Sequence, residues 1–345
     1  MGGILGGLIA SFQGVVNSNA IAVAHNVTPF VSAYPWSSST GFGAKYANPA
    51  TLPNGSGQQV TFTPTNSAIA ISSAGAANGA HVYAWSNSTG FGTKYTSPAG
   101  LGNVYSTAFN PAGNVIAIAD DGSPFIEVYA WSDSTGFGTK YSDPATLPTG
   151  TGNKVTFNPA GDVMAVAHST SPYISVYPWS NSTGFGAKYA NPATLPTGTG
   201  RGVSFTASGD AIAIAHSTTP FVSTYPWSAG FGTKYANPAT LLPGTGYSVT
   251  FSPSDADIVV AHLATPFVSA YPWSAGFGTK YANPATLPTG IGRGVSFTAS
   301  GDAIALASST TPYIIVYPWS SGFGTKYANP ATLPPSTNNG VTFNN

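Results

Sequence analysis

The chain contains no cysteine and few charged residues. None of its 345 residues is Cys, which excludes disulfide bonds and thiolate metal sites. Charged residues make up 6% of the sequence, ten basic and ten acidic. No face can then carry the dense positive charge that neutralises nucleic-acid phosphates, so nucleic-acid binding is not expected.

Long hydrophobic runs are also scarce. The opening segment Met1–Ala10 is apolar, but it is glycine-rich, too short to span a bilayer and without the basic flank of a secretion signal. We therefore predict no membrane span, and an N-terminal arm over residues 1–16. Four aliphatic side chains of this arm are candidates for docking on a partner: Ile4, Leu5, Leu8 and Ile9.

The sequence is rich in glycine and proline, and one short phrase repeats along its length. Seven tryptophans occur, each preceded by Tyr-Pro or Tyr-Ala and followed by Ser: Trp36, Trp85, Trp131, Trp179, Trp227, Trp273 and Trp319. Their separations are 49, 46, 48, 48, 46 and 46 residues. That period is typical of one four-stranded blade. The sequence predicts an all-β, seven-bladed β-propeller over residues 17–345.

One repeat contains four strand-like segments. In the fourth unit, Lys154–Phe157 and Val163–His168 alternate on either side of a turn. Tyr173–Tyr177 predicts a third strand, and Gly186–Tyr189 a short fourth one. The proline before most of the tryptophans, as at Pro178, lacks an amide hydrogen and predicts the end of the third strand or a bulge in it.

The ring requires a closure, because an open ring would leave exposed sheet edges. The Val-x-Phe strand ends at eight positions: Phe12, Phe62, Phe109, Phe157, Phe205, Phe251, Phe297 and Phe343. Since there are seven Trp phrases, one copy is surplus. We predict that Val341–Phe343 becomes the innermost strand of the first blade. The alternative is that Phe12 keeps its own strand and the C-terminus is only a cap.

The repeat resembles two groups of proteins. Val155–Asp162 resembles the first hairpin of WD40-type propellers, and Val176–Ser180 resembles the end of their third strand. Ser stands where that family has Asp after Trp, so the likeness concerns architecture. The phrases Tyr-Pro-Trp-Ser and Asn-Pro-Ala-Thr-Leu-Pro resemble repeats of uncharacterised propeller proteins of marine bacteriophages. This second resemblance implies a virion component.

Two side chains recur in every repeat and are candidates for an interaction surface. The first is a phenylalanine between glycines, which could bind a partner or cover the blade edge: Phe42, Phe91, Phe137, Phe185, Phe231, Phe277 and Phe323. The second is a lysine on the outermost strand, which could face an acidic partner or prevent edge-to-edge aggregation: Lys45, Lys94, Lys140, Lys188, Lys234, Lys280 and Lys326.

Histidines and acids offer weaker candidates. Four histidines close the second strand of their units, at His25, His168, His216 and His262. Equivalent positions of a seven-fold ring lie too far apart to share a metal, so a local hydrogen bond is expected instead. His81 and Glu127 could pair between adjacent blades. An acidic group in the third unit could bind calcium or form a solvated turn: Asp120, Asp121, Glu127, Asp133 and Asp143.

No nucleophile, acid and base recur at a catalytic spacing, which predicts a protein without enzymatic activity, metal or cofactor. The expected function is a virion-associated structural propeller, on a capsid, tail or fibre, that docks on protein partners. The alternative is a lectin-like propeller that binds carbohydrate or a receptor through repeated pockets. Either function places the chain on a virion or an extracellular surface.

Overall fold

The chain folds into seven antiparallel sheets arranged around a channel. A computed structural model describes residues 19–75 and 78–344. Each sheet is one blade, and the inner strands of successive blades contact one another in a closed circle. The prediction of an all-β, seven-bladed β-propeller is therefore confirmed. No helix among the described residues is long and apolar enough to cross a membrane.

The strands follow one another blade by blade. The first blade contains β1 (Asn19–His25), β2 (Val31–Ser37) and β3 (Gly41–Phe42). The second contains β4 (Ser56–Phe62), β5 (Ala68–Ala74), β6 (Ala80–Ser86) and β7 (Gly90–Lys94). The third contains β8 (Val104–Phe109), β9 (Val115–Asp120), β10 (Ile126–Ser132) and β11 (Gly136–Lys140). The fourth contains β12 (Gly152–Phe157), β13 (Val163–His168), β14 (Ile174–Ser180) and β15 (Gly184–Phe185).

The last three blades are shorter at their outer edge. The fifth contains β16 (Gly200–Phe205), β17 (Ala211–His216) and β18 (Val222–Pro226). The sixth contains β19 (Gly246–Phe251), β20 (Asp257–His262) and β21 (Val268–Pro272). The seventh contains β22 (Gly292–Phe297), β23 (Ala303–Ser308) and β24 (Ile314–Pro318). In each of them the fourth strand is reduced to one bridge between Trp and the following Phe.

Proline accounts for the difference in outer strands. The two blades with the longest outer strands, β7 and β11, carry Ala84 and Ala130 before Trp, whereas the other five carry Pro. Proline has no amide hydrogen to donate to a neighbouring strand. In the blades with proline, pairing at the outer edge therefore stops after one or two residues. The strand predicted at Gly186–Tyr189 accordingly lies earlier, at β15.

The C-terminal strand closes the ring. Strand β25 (Asn338–Phe343) pairs antiparallel with β1, with Ile21 opposite Phe343 and Val23 opposite Val341. The amide nitrogen of Asn344 donates to the Ala20 carbonyl at 2.9 Å. The predicted closure is confirmed. The arm at residues 1–16, with Ile4, Leu5, Leu8 and Ile9, and the alternative strand at Phe12 lie outside the described residues.

Each tryptophan lies at a junction of two blades and contacts three aromatic rings. Around Trp85, the ring of Phe62 from the inner strand is 5.2 Å away and that of Phe91 from the outer strand is 5.1 Å away. Tyr46 from the preceding blade is 5.1 Å away. All three rings meet Trp85 edge to face, the geometry that aromatic quadrupoles favour. The same four-ring cluster occurs at all seven junctions.

A second contact ties six of the seven blades to the loop that precedes each of them. A buried tyrosine of the third strand donates its hydroxyl hydrogen to a threonine carbonyl of that loop. Six blades share this bond, at 2.7–2.9 Å, in the pairs Tyr34–Thr332, Tyr83–Thr51, Tyr177–Thr146, Tyr225–Thr194, Tyr271–Thr240 and Tyr317–Thr286. This bond explains the repeated Asn-Pro-Ala-Thr phrase, because its threonine supplies the carbonyl that accepts the hydrogen bond.

Replacing Phe343 by alanine tests the closure of the ring. The side chain is 4% exposed and its ring lies 5.3 Å from that of Trp36, so we expect Phe343→Ala to cost about 3–5 kcal/mol in free energy of unfolding. Urea denaturation measures the loss. The control Thr342→Ala alters the neighbouring, partly exposed side chain and should cost much less. Equal losses for the two variants would contradict a closure that depends on β25.

Candidate functional site

Each inner strand carries a bulge near its start, and the inserted residue lines one end of the channel. The pairing between first and second strands skips one residue in every blade. Bulges of this kind redirect a side chain out of the sheet. The seven inserted residues surround a cavity of about 210 Å³, here called the polar mouth: Gln58, Tyr105, Asn153, Arg201, Tyr247, Arg293 and Asn339.

The polar mouth is where the otherwise similar blades differ. The Val-x-Phe segment that follows the bulge is nearly constant, because its valine and phenylalanine are core residues. The bulged position itself carries arginine, tyrosine, asparagine or glutamine. None of these seven is among the site residues predicted from the sequence. A signal was present: both arginines of the chain occupy the same slot, two repeats apart.

Positive charge concentrates at the polar mouth. Seven of the ten basic residues of the chain are the outer-strand lysines, and the other three are Lys154, Arg201 and Arg293. All three line the channel at this end, and no Asp or Glu lines the two cavities there. Within residues 19–75 and 78–344, neither arginine forms an ion pair. The site is therefore cationic although the chain has no net charge.

Tyr247 holds the two arginines close together. The guanidinium carbons of Arg201 and Arg293 lie 5.0 Å and 5.6 Å from the centre of its ring. Such cation–π contacts offset part of the repulsion between two like charges. The Nε atom of Arg293 is buried and has no hydrogen-bond partner among the described residues. Two guanidinium groups without a carboxylate are suited to bind an anion, because each offers a planar fork of donors.

Amide side chains define the opposite part of the rim. Asn153 Nδ2 donates to the carbonyl of Gly200 at 2.7 Å, and Asn339 Nδ2 donates to that of Gly57 at 2.8 Å. Gln58 is oriented by a bond from its Nε2 to the carbonyl of Ser56, at 3.1 Å. With their nitrogens occupied in this way, the three side chains present acceptor oxygens. Acceptors of this kind suit the hydroxyl groups of a ligand.

Lys154 lies directly below the polar mouth. It follows the bulged Asn153 and lines an inner cavity of about 100 Å³ together with both arginines. Part of the side chain faces that cavity, but the surrounding inner strands displace most of its water. This desolvation lowers the pKa of Lys154 to about 8. At pH 7 roughly a tenth of the amine is consequently uncharged and able to accept a proton.

The other end of the channel has a different lining. Three residues further along the inner strands, a ring of hydroxyl side chains borders cavities of about 480 and 570 Å³: Thr61, Thr156, Ser204, Thr250, Ser296 and Thr342. Several of these hydroxyls are engaged locally; that of Thr250, for example, donates to the carbonyl of Phe251 at 3.2 Å. No charged residue lines these two cavities. The two ends of the channel thus differ sharply in charge.

The repeated phenylalanines lie in the aromatic clusters. Each one pairs with its own tryptophan across the outer edge of the blade, as Phe42 does with Trp36 at 5.1 Å. All seven are half-buried: Phe42, Phe91, Phe137, Phe185, Phe231, Phe277 and Phe323. Their packing accounts for their repetition without a ligand. A role in partner binding stays a prediction.

The outer lysines form hydrogen bonds within their own turns. In five blades the ammonium group donates to an asparagine three residues later: Lys45, Lys188, Lys234, Lys280 and Lys326. Lys140 instead forms ion pairs with Glu127 at 3.4 Å and Asp143 at 3.1 Å. Lys94 borders a groove of about 410 Å³ together with His81. The ring of lysines lies at the outer edge, far from the channel.

The histidines take part in buried pairs inside single blades. His25 Nε2 lies 3.1 Å from the Ser32 hydroxyl, and the equivalent pairs His168–Ser175, His216–Ser223 and His262–Ser269 span 3.0–3.1 Å. In the second blade the two residue types are exchanged between the strands: His81 on the third strand lies 2.9 Å from Ser73 on the second. Among the described residues, no group of three or more potential ligands could hold a metal.

The predicted pair between His81 and Glu127 is wrong, because each residue has a partner in its own blade. Glu127 accepts a hydrogen bond from the Tyr129 hydroxyl at 2.5 Å. In this third blade Asp120 and Glu127 occupy the positions of the His–Ser pair. Burial, reinforced by the charge of Glu127, raises the pKa of Asp120 to about 7. Asp121 is held by Asn103, whose Nδ2 donates to it at 2.7 Å.

Comparison with known proteins identifies the architecture. No protein-family profile and no curated protein sequence matches the chain. Among solved structures, a candidate 6-phosphogluconolactonase from Bacteroides fragilis superposes with a TM-score of 0.78 at 11% identity, over 96% of this chain and 99% of that one. The periplasmic gluconolactonase of Pseudomonas aeruginosa gives 0.68 at 12% identity, over 95% and 99%. A functionally unknown protein from Desulfotomaculum acetoxidans gives 0.71 at 10% identity, over 94% and 99%.

These comparisons correct two predictions. The chain was expected to be a non-catalytic virion or lectin-like propeller and not an enzyme; the comparisons contradict both expectations, because propellers with this same ring are named as a gluconolactonase and as candidate 6-phosphogluconolactonases. The low number of charged residues in the sequence does not reveal where they lie. Three of those charges meet in one cavity. Identities of 10–14% show the fold alone, and no comparison supports the resemblance to bacteriophage proteins.

The buried histidines predict a loss of stability in mild acid. Desolvation lowers the pKa to about 4 for His25, His168, His216 and His262 and to about 3 for His81. In the unfolded state the pKa of each histidine is near 6.5, so these side chains bind protons at a higher pH than they do in the folded state. Stability is therefore full above about pH 6.5 and falls as the pH decreases towards 4, by about 2 kcal/mol per histidine at pH 5.

Urea unfolding at several pH values measures this dependence. Asp120, with its raised pKa, acts in the opposite direction but is a single group. His262→Gln retains a donor towards Ser269 and cannot titrate, so its stability should depend less on pH than that of the unaltered chain. Equal pH dependence in the two proteins would contradict the assignment.

Proposed function

We propose that the chain is a hydrolase that opens the lactone ring of an anionic sugar derivative bound in the polar mouth. The observation that carries this proposal is the meeting of Lys154, Arg201 and Arg293 in a cavity that no carboxylate lines. The names of structurally similar propellers supply the reaction class.

The anionic group of the substrate binds between the arginines. A phosphate or carboxylate can accept paired hydrogen bonds from each guanidinium, and it relieves the repulsion between the two cations flanking Tyr247. Because the cavity is narrow and partly closed to solvent, these interactions are screened less than on an open surface. The anion is thus the anchor of the substrate.

The rest of the rim suits a polyhydroxylated body. The oxygens of Gln58, Asn153 and Asn339 accept hydrogen bonds from sugar hydroxyls, and the ring of Tyr105 offers an apolar face. The outer cavity, of about 210 Å³, admits a small molecule of this type. The inner cavity beneath it, of about 100 Å³, has room for a carbonyl group and the attacking water.

Lys154 is the proton acceptor in this scheme. Water adds to the carbonyl carbon of the lactone while the uncharged amine takes a proton from it. The bond between the carbonyl carbon and the ring oxygen then breaks, and the ammonium group returns the proton to that oxygen, leaving a hydroxy acid. A base with a pKa near 8 is suited to this transfer at neutral pH.

Lactone hydrolysis by the purified protein tests the proposal. We expect faster opening of 6-phosphogluconolactone than of gluconolactone, after subtraction of the rate in buffer. Arg201→Gln and Arg293→Gln should each lower kcat/KM for the phosphorylated substrate about 10- to 100-fold, the value of one charge-assisted hydrogen bond. Lys154→Ala should lower kcat and abolish the rise of the rate with pH around pH 8.

Lys234→Ala is the matched control, because it removes a positive charge from the outer edge of the blade that carries Arg201. It should leave all rates unchanged. The proposal fails if the protein does not exceed the buffer rate with either lactone, or if the arginine variants and the control behave alike.

A further inference from the structure

Lys154 differs from every other lysine of the chain in its surroundings. The other seven lie on the outer edges of the blades, and most are bonded to an asparagine or a carboxylate of their own turn. The Nζ atom of Lys154 forms no hydrogen bond or ion pair with any residue in 19–75 or 78–344. Its amine is therefore free to react with a bound molecule.

Five of the other six blades carry glycine or serine at the position of Lys154. At the position of Lys154, the fifth, seventh and first blades carry Gly202, Gly294 and Gly340. A Cβ atom on Gly202 would lie 3.0 Å from Ser248 Cα, and one on Gly340 would lie 2.8 Å from Gln59 Cα. The inner strands of the fifth and first blades thus approach their neighbours too closely for a larger residue at Gly202 or Gly340. Lys154 is the one long, basic side chain in this layer of the channel.

We propose that the Nζ atom of Lys154 forms an imine with aldehydes that carry an anionic group, which Arg201 and Arg293 hold in place. The nitrogen lone pair adds to the aldehyde carbon, and one proton passes from the nitrogen to the carbonyl oxygen to give a carbinolamine. The nitrogen then loses its second proton, the oxygen takes up a proton and leaves as water, and a carbon–nitrogen double bond forms. No oxidant or reductant is consumed. The inference shares Lys154 and both arginines with the proposed hydrolase site but concerns a different reaction.

The surroundings favour this chemistry over that of an ordinary surface lysine. Only an uncharged amine is nucleophilic, and with its pKa lowered to about 8 by desolvation roughly a tenth of Lys154 is uncharged at pH 7, far more than for an ordinary surface lysine. No carboxylate lines the cavity to stabilise the ammonium form. The paired arginines raise the local concentration of an anionic aldehyde and place it in the same cavity as the amine.

Reductive trapping in the intact protein tests the inference. Glyoxylate and glycolaldehyde are aldehydes of similar size, the first with a carboxylate and the second with a hydroxyl group. Each is incubated with the protein and cyanoborohydride, which reduces an imine to a stable amine, and peptide mass spectrometry locates the label. We expect glyoxylate to label Lys154 about 10- to 100-fold faster than glycolaldehyde does, with no such preference at Lys234.

Three further measurements separate the possible outcomes. Inorganic phosphate should slow labelling of Lys154 by glyoxylate but not by glycolaldehyde. Arg201→Gln combined with Arg293→Gln should bring the ratio of the two rates at Lys154 close to one. Lys154→Arg retains the charge and should abolish the fast label; an unchanged thermal unfolding temperature shows that the fold is kept.

The inference is overturned if Lys154 reacts no faster than Lys234, or if its preference for glyoxylate survives loss of both arginines. Because the readout is a covalent label, it does not depend on lactone hydrolysis. Trapping without hydrolysis would refute the proposed function alone, and hydrolysis without trapping would refute this inference alone.

Discussion

The contact of each tryptophan with three aromatic rings, edge to face at all but the Trp36–Phe343 pair, is the interaction on which the rest of the structure depends. The rings come from the inner strand, the outer edge and the preceding blade, so that one cluster joins three parts of the ring. Trp36 has its inner-strand partner in Phe343, which makes the closing junction equivalent to the others. Seven equivalent junctions allow the ring to close without disulfide bonds or a dense network of ion pairs.

This scaffold leaves one position of each blade free to vary. Core residues follow shortly after the bulge on the inner strand, as Val155 and Phe157 follow Asn153, whereas the bulged residue itself lines the channel. The residues that repeat for packing and the residue that varies thus lie within a few positions of each other. The repeats remain alike where packing requires it, and they differ at the polar mouth, where seven side chains of four types create an asymmetric site.

The polar mouth is cationic because no acidic residue lies beside its basic ones. In a chain with many acids, Arg201, Arg293 and Lys154 would be compensated by neighbouring carboxylates. Here the acids lie on other surfaces, and the third blade keeps Asp120 and Glu127 within its own sheet. A small number of uncompensated charges in a narrow cavity produces a stronger local field than many screened charges on a surface. The scarcity of charged residues also makes the buried His–Ser pairs an important source of polar contacts in the core.

The sequence by itself determined the number of blades, the closing strand at Val341–Phe343 and the local role of His25 and its equivalents, because periodic core residues report the repeating unit directly. Only the tertiary structure decided the site. Arg201 and Arg293 each lie 46 residues from Tyr247 in the chain. A single repeat does not reveal that a bulge directs the three residues to one cavity. Convergence at the axis of a ring is a property of all blades together, and it has no signature in the pattern of any one of them.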